Sequence, residues 1–196
     1  IEPPQGLGYP MDDLPMIRKM EKYILDGDMK RVEFDFDFYG LQNYSRMVTK
    51  ANGIVPWMAG TPIAPKNLKP RPEITEMKWE VHPEGIYKML KYFDKYEKID
   101  KIIVTENGSA FPDVVEGDFV HDKQRKKFYQ DYLRQVLRAK REGVNVQGYY
   151  CWTLMDNFEW AEGYHPRFGL VHIDFETQKR TIKDSGLWFK EFLSKQ

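Results

Sequence analysis

The sequence predicts an α/β fold with parallel strands, and three observations carry the prediction. Helical and strand-like stretches alternate along the chain, the order that lays strands side by side with helices packed on them. Ile102-Ile103-Val104-Thr105 is a β-branched run, apolar until its last residue, as expected of a parallel strand buried on both faces. A helix with Phe128, Tyr129, Tyr132, Leu133, Val136 and Leu137 at helical spacing follows it.

The elements are justified in chain order. Asp12-Asp13 precede an apolar-periodic stretch through Ile17, Met20 and Ile24, which reads as a capped helix. Phe34 to Tyr44, with Phe34, Phe36 and Phe38 alternating, reads as a strand. Residues 51–80 are rich in Pro, Gly and polar side chains and read as a long excursion, usually functional or inserted in a compact domain. Pro83 suits the first position of a helix with Ile86, Leu90 and Phe93 on one face. After the Ile102 run, Asn107-Gly108 ends the strand, and Gly143 stops the following helix. Val144 to Trp152 is the next strand. Residues 169–183 read as a hairpin, Leu170–Phe175 against Lys179–Lys183, and a last helix runs from Asp184 to Leu193. No repeat of fixed period is visible.

Composition narrows the function classes. The 196 residues suffice for one domain with a sizeable core, but a closed eight-fold β/α barrel needs about 250. Thirty acidic residues balance thirty basic ones, so no nucleic-acid or anionic-membrane partner is implied. No apolar run approaches the roughly 18 residues of a membrane-spanning helix. The single cysteine, Cys151, excludes an internal disulfide framework. A single cysteine allows a reducing compartment without demanding one, and the cytoplasm is the favoured location. The start at Ile1-Glu2-Pro3-Pro4 leads us to expect that the true N-terminus is absent.

In such folds the chemistry sits where strands end. One strand end carries Gln42, Asn43 and Tyr44. A second carries Thr105-Glu106-Asn107-Gly108, and a third the run from Trp152 to Trp160 with Asp156, Asn157 and Glu159. Glu106 is the sharpest signal, a carboxylate directly after a buried apolar run. Taken singly, each of these residues also has a plainer reading. Glu106 could cap a turn, Glu159 could sit solvated beside a hairpin, and Tyr44, Trp152 and Trp160 could be core aromatics.

Together they resemble one family. Val104-Thr105-Glu106-Asn107-Gly108 resembles the nucleophile motif of family-one glycoside hydrolases, the β-glucosidase family. Trp152-Thr153-Leu154-Met155-Asp156-Asn157-Phe158-Glu159-Trp160, with Gly163-Tyr164 and Arg167-Phe168-Gly169-Leu170, resembles its sugar-binding segment. Asp37 to Arg46 resembles the segment bearing the nucleophile's tyrosine partner. By this resemblance residues 1–196 are the C-terminal part of one TIM-barrel catalytic domain, strands six to eight with their helices.

The resemblance implies a retaining β-glycosidase acting on β-D-glucosides or related β-glycosides by double displacement. It makes Glu106 the nucleophile and Tyr44 its hydrogen-bonding partner. Glu159 would accept from the sugar's 4- and 6-hydroxyls, Trp160 would add a donor, Trp152 a stacking floor and Phe168 a wall near C6. Asn157 would orient the loop. Gln42 stands where the family usually has Asn, on the sugar's 2-hydroxyl side. Members acting on 6-phosphorylated sugars usually lack a Glu at the Glu159 position, so a non-phosphorylated substrate is favoured. Neither a metal nor an organic cofactor is implied.

The family's acid/base belongs to an Asn-Glu-Pro motif on the fourth strand, and none occurs here; Glu2-Pro3 lacks the Asn. Three parallel strands cannot close a barrel, and both outer ones would expose an edge. We therefore expect a companion N-terminal half carrying that motif, and a chain inactive by itself. The alternative is a non-catalytic sugar-binding or assembly fragment.

Overall fold

The computed structural model describes residues 1–51 and 60–195. The chain opens with a 3-10 turn at Pro3–Gln5 and a longer 3-10 stretch at Pro15–Tyr23. A short helix α1 (Asp28–Val32) and strand β1 (Tyr39–Gln42) follow. Strands β2 (Thr49–Ala51) and β3 (Gly60–Pro62) pair antiparallel. Then come α2 (Glu84–Phe93), β4 (Ile102–Asn107), the hairpin β5 (Val114–Glu116) and β6 (Phe119–His121), and the long helix α3 (Lys123–Arg141). Strand β7 (Val146–Cys151), the hairpin β8 (Val171–Ile173) and β9 (Arg180–Ile182), and α4 (Asp184–Leu193) complete it.

The centre is a three-stranded parallel sheet in the order β1–β4–β7. Helix α3 packs between α2 and α4. The core forms where α2 and α3 bury Ile86, Leu90, Phe93, Phe128, Tyr129, Tyr132 and Val136 against Leu41, Ile102, Val104 and Val146 of the sheet. Their helical spacing matches the sequence expectation. None of the helices among the described residues is long and apolar enough to cross a membrane.

Several expectations needed correction. The stretch after Asp12-Asp13 is 3-10 rather than α-helix, and neither Asp caps it. It buries none of its residues, and Asp12 pairs with Arg18 instead. Without packing on an apolar face, a helix of this length has little to hold it. The strand expected over 34–44 spans only Tyr39–Gln42. Phe34, 63 % exposed, has no strand partner and hydrogen-bonds through its N–H to Pro4 O. Pro83 is the N-cap of α2 rather than its first residue. The excursion holds β3, paired with β2 at the excursion's start, and a 3-10 turn at Pro65–Asn67, while 52–59 lie outside the described residues. Helix α1 and the β5–β6 hairpin were not anticipated.

The sheet is buried on one face only. Ile102 and Val104 are buried under the helices, whereas Ile103 and Thr105 are half-buried. The second face carries glycines. A Cβ on Gly40 would lie 3.3 Å from Thr105 Cγ2, and one on Gly148 would lie 3.2 Å from Ile103 Cγ2. Tyr150, at the end of β7, is 62 % exposed. Ile103 is therefore only half covered, contrary to a strand buried on both faces.

Candidate active site

The site lies where the three parallel strands end. Both strand pairs shift register there, between Leu41 and Gln42 and between Val104 and Asn107. Such irregularities re-aim side chains at strand ends. Glu106 is half-buried at the end of β4, and both of its oxygens are engaged. Tyr44 donates its hydroxyl to Glu106 Oε2 at 2.6 Å, and Gln42 donates its amide to Oε1 at 2.9 Å. Burial first, then the bond to Glu106, pushes the Tyr44 phenol well above the usual phenol range, so Tyr44 stays a donor.

The backbone makes this arrangement compact. Trp152 N–H donates to Asn107 O at 2.8 Å, and a Cβ on Gly108 would lie 1.8 Å from Trp152 O. Only glycine permits that approach, which brings the ends of β4 and β7 together. Asn107 is fully buried, donates to Asn43 O and accepts from the Tyr149 hydroxyl. Asn43 N–H in turn donates to Glu106 O. The turns bearing Glu106, Tyr44 and Trp152 are thus tied by main-chain contacts.

A cleft of about 310 Å³ opens over Glu106, lined by Tyr44, Trp79, Glu106, Trp152, Glu159, Trp160 and Phe168. Glu159 Oε2 accepts from Trp152 Nε1 at 3.3 Å and Asn157 Nδ2 at 3.4 Å. Phe168 is fully buried and stands edge-on to Tyr44, ring centres 6.5 Å apart. Trp160 is 79 % exposed. Of the residues singled out from sequence, Tyr44, Glu106, Trp152, Glu159, Trp160 and Phe168 line this cleft, while Asn157 bonds Glu159 from outside its lining. Gln42 sits against Glu106 beside it.

Sequence reasoning missed Trp79. Its ring lies 5.3 Å from Tyr44 and 6.2 Å from Phe168. A turn with Lys78 at φ +62° delivers it, closed by Thr75 N–H to Trp79 O at 2.9 Å. Arg46 locks the next residue, buried Glu80, through paired bonds of 2.8 and 2.9 Å. Its only signal in the sequence was a large aromatic within a polar excursion.

Beneath the segment carrying Glu159 and Phe168 lies a buried charge cluster. Asp113, Asp122 and Asp156 face Arg125, Arg167 and Lys183. Lys183 Nζ is 2.7 Å from Asp113 Oδ2 and 2.8 Å from Asp156 Oδ1. Arg125 reaches Asp113 and Asp122 at 2.8 and 2.7 Å and also donates to the carbonyls of Ser109, Phe111 and Arg167. Asp156 accepts from Gly169 N–H at 2.9 Å and, more loosely, from Ile173 N–H and Arg167 Nη1 at 3.3 Å. Burial, then the Arg125 guanidinium, pulls the Lys183 ammonium below the ordinary lysine range against the pull of Asp156 and Asp113. Asp113, Asp156 and His172 bring potential ligand atoms within 4.8 Å of one another, but Lys183 is already the cation bridging the two carboxylates.

The comparisons agree with this geometry. The sequence profile of Glycosyl hydrolase family 1 matches residues 5–196, so the chain belongs to that family. It is 44 % identical over 169 residues to a 1,4-beta-D-glucan glucohydrolase of Thermotoga neapolitana, covering 86 % of this chain and 37 % of that protein. It is 42 % identical over 126 residues to a 6-phospho-beta-galactosidase of Streptococcus pneumoniae, covering 62 % of this chain and 27 % of that one. The solved family 1 β-glucosidase of Thermotoga maritima, a TIM barrel, superposes with a TM-score of 0.86 at 36 % identity, covering 98 % of this chain and 42 % of that one. The described α/β architecture is thus a partial barrel. The chain spans well under half the length of these proteins.

Proposed function

We propose that this chain is the C-terminal part of a retaining β-glycosidase of the β-glucosidase kind, with Glu106 as nucleophile. The observation that carries the reading is the environment of Glu106. It is a strand-end carboxylate held by two donors, opening onto an aromatic cleft that contains a second carboxylate, Glu159. Strands β1, β4 and β7 then correspond to the sixth, seventh and eighth of the barrel.

In this mechanism a Glu106 oxygen attacks the anomeric carbon as the bond to the leaving oxygen breaks, giving a glycosyl-enzyme ester. The leaving oxygen takes a proton from a second carboxyl, about 5–5.5 Å from the nucleophile in retaining enzymes. We assign that acid to a companion N-terminal half with an Asn-Glu-Pro motif. Water, deprotonated by the same group, then attacks the anomeric carbon and releases the sugar and Glu106. Tyr44 holds Glu106 in line, and its high phenol pKa keeps it a donor throughout.

On the sugar side, Trp152 offers an indole face for stacking. Glu159 accepts hydrogen bonds from the 4- and 6-hydroxyls, charge-assisted and so stronger than neutral ones. The relatives include both glucan- and 6-phosphosugar-acting names, and Glu159 favours the first group because its charge repels a 6-phosphate. Phe168 walls the C6 side, and Trp160 supplies an indole N–H once the companion half covers it.

The companion half is also supported by what the chain leaves open. Tyr150 on β7 is 62 % exposed, and Leu154, just beyond the end of that strand, is 64 % exposed. In the three-stranded sheet, β1 and β7 each keep an unpaired edge.

The test uses the completed barrel, meaning this chain with its companion half. Incubation with a 2-deoxy-2-fluoro glucoside, then peptide mapping, should find the sugar on Glu106. The chain alone should not hydrolyse a nitrophenyl glucoside. Labelling of another carboxylate sinks the nucleophile assignment. Turnover by the chain alone sinks the companion, and an inert assembly that still binds glucose favours a non-catalytic fragment.

A further inference from the structure

Gln42 touches the nucleophile, and the reason lies in strand register. Along β1 and β4 the pairs run Tyr39 with Ile102, Gly40 with Ile103 and Leu41 with Val104. The next pair in sequence would be Gln42 with Thr105. The register shift after Leu41 instead sets Gln42 opposite Glu106. Gln and Glu have side chains of equal length. From facing positions on parallel strands their heads meet level, and Gln42 Nε2 lies 2.9 Å from Glu106 Oε1. An Asn at this position would end one methylene short.

We infer that Gln42 is a positioning residue for the nucleophile, acting on the Glu106 carboxylate rather than through the sugar's 2-hydroxyl. The inference rests on the retaining-glycosidase reading above. The terminal torsion of a glutamate is soft, with a broad, roughly two-fold profile. Tyr44, bound to Oε2, anchors one oxygen and leaves the carboxylate plane free to swing about it. Gln42, bound to Oε1 from the neighbouring strand, fixes the plane. With both oxygens anchored, a remaining lone pair keeps its aim at the anomeric carbon, and orientation of this kind is a large part of catalysis.

The two possible roles separate with a substrate that has no 2-hydroxyl. A 2-deoxy-2-fluoro glucoside removes that group from every reaction, so a residue acting through it loses its effect. In the completed barrel, saturation kinetics of labelling give a binding constant and a rate constant for attack by Glu106. We expect Gln42→Ala to lower the attack rate constant about 10- to 100-fold, the size of one lost hydrogen bond to a charged group. The binding constant should stay within about twofold, because the lost contact is not to the sugar. Gln42→Asn should recover only a minor part of the rate. Gln42 is exposed at the mouth of the sheet, so both variants should fold normally.

A Gln42→Ala protein labelled at the wild-type rate, with turnover of ordinary glucosides still depressed, assigns Gln42 to the 2-hydroxyl and overturns the inference. So does a loss confined to the binding constant, or full rescue by Asn. Failure of the underlying reading is distinct, because wild type itself would then carry no label on Glu106.

Discussion

Replacing Lys183 with Met should unhinge the loop that carries Glu159. Lys183 is fully buried, and its ammonium bridges Asp113 and Asp156 at 2.7 and 2.8 Å. Both carboxylates have side chains at most 4 % exposed. The cluster balances three carboxylates with three cations, so Lys183→Met leaves one buried negative charge uncompensated. Removing one partner of a buried pair costs about 3–5 kcal/mol. Asp113 keeps a cation, Arg125, at 2.8 Å, whereas the cation left to Asp156 is Arg167 at 3.3 Å. The damage should therefore concentrate on Asp156, three residues before Glu159.

The assay is reversible denaturant unfolding of the completed barrel, for wild type, Lys183→Met, Asp156→Asn and the double variant. We expect the single Met variant to lose about 3–5 kcal/mol. The double variant should be more stable than the sum of the single losses predicts, with a coupling of at least about 1 kcal/mol between contacting charges. Glucoside KM should rise in Lys183→Met, because Asp156 also holds Gly169 N–H beside Phe168. A loss under about 1 kcal/mol with unchanged KM would refute the reasoning. It would show that Arg125 and Arg167 compensate the carboxylates without Lys183.

Two further predictions concern the cleft and the cysteine packed against the core. Glu159→Ala should lower kcat/KM for glucosides about 10- to 150-fold, the worth of a charged hydrogen bond of roughly 1.5–3 kcal/mol; equal or better turnover of 6-phosphoglucosides by the wild type would show that the substrate class is misassigned. Burial pushes the Cys151 thiol up to about 12 from an ordinary 9.0. The neutral thiol is thus the folded form, and its contribution to stability, present below pH 9, fades as pH climbs from 9 towards 12. At pH 8 iodoacetamide should alkylate Cys151 about a thousandfold more slowly in the folded barrel than in denaturant, and comparable rates would contradict its burial.

The parts of the fold that could be read from sequence were those whose signal is local and whose cover lies within this chain. Ile86, Leu90 and Phe93 announce α2, and the aromatics of α3 announce its face, because each packs on the other and on β4. The 171–182 hairpin was readable for the same reason. Phe34, Phe36 and Phe38 misled because alternation marks a strand only if one face is buried, and here Phe34 and Phe38 are exposed and Phe36 only half-buried. The β5–β6 hairpin was legible and overlooked. Gly117-Asp118 is a two-residue Gly-Asp turn between paired Glu116 and Phe119, with Gly117 at φ +62°.

The site divides the same way, and the division bears on how it works. Glu106, Tyr44, Trp152, Glu159 and Phe168 were legible because short motifs carry them. Trp79 and the Lys183 cluster were not, because their roles arise from tertiary contacts. Asp122 and Arg125 stand three residues apart, like any surface helix pair, and nothing local says they are buried. Yet these illegible residues hold the legible ones. Arg46 and Glu80 fix the turn that ends in Trp79, and Lys183 with Arg125 fixes the loop from Asp156 to Gly169. Both oxygens of Glu106 are hydrogen-bonded within this chain, whereas Trp160 and Tyr150 stand exposed. On the proposed reading, the nucleophile's half of the cleft is preorganised before any companion arrives. On that reading, what association supplies is the proton donor and the cover that excludes water.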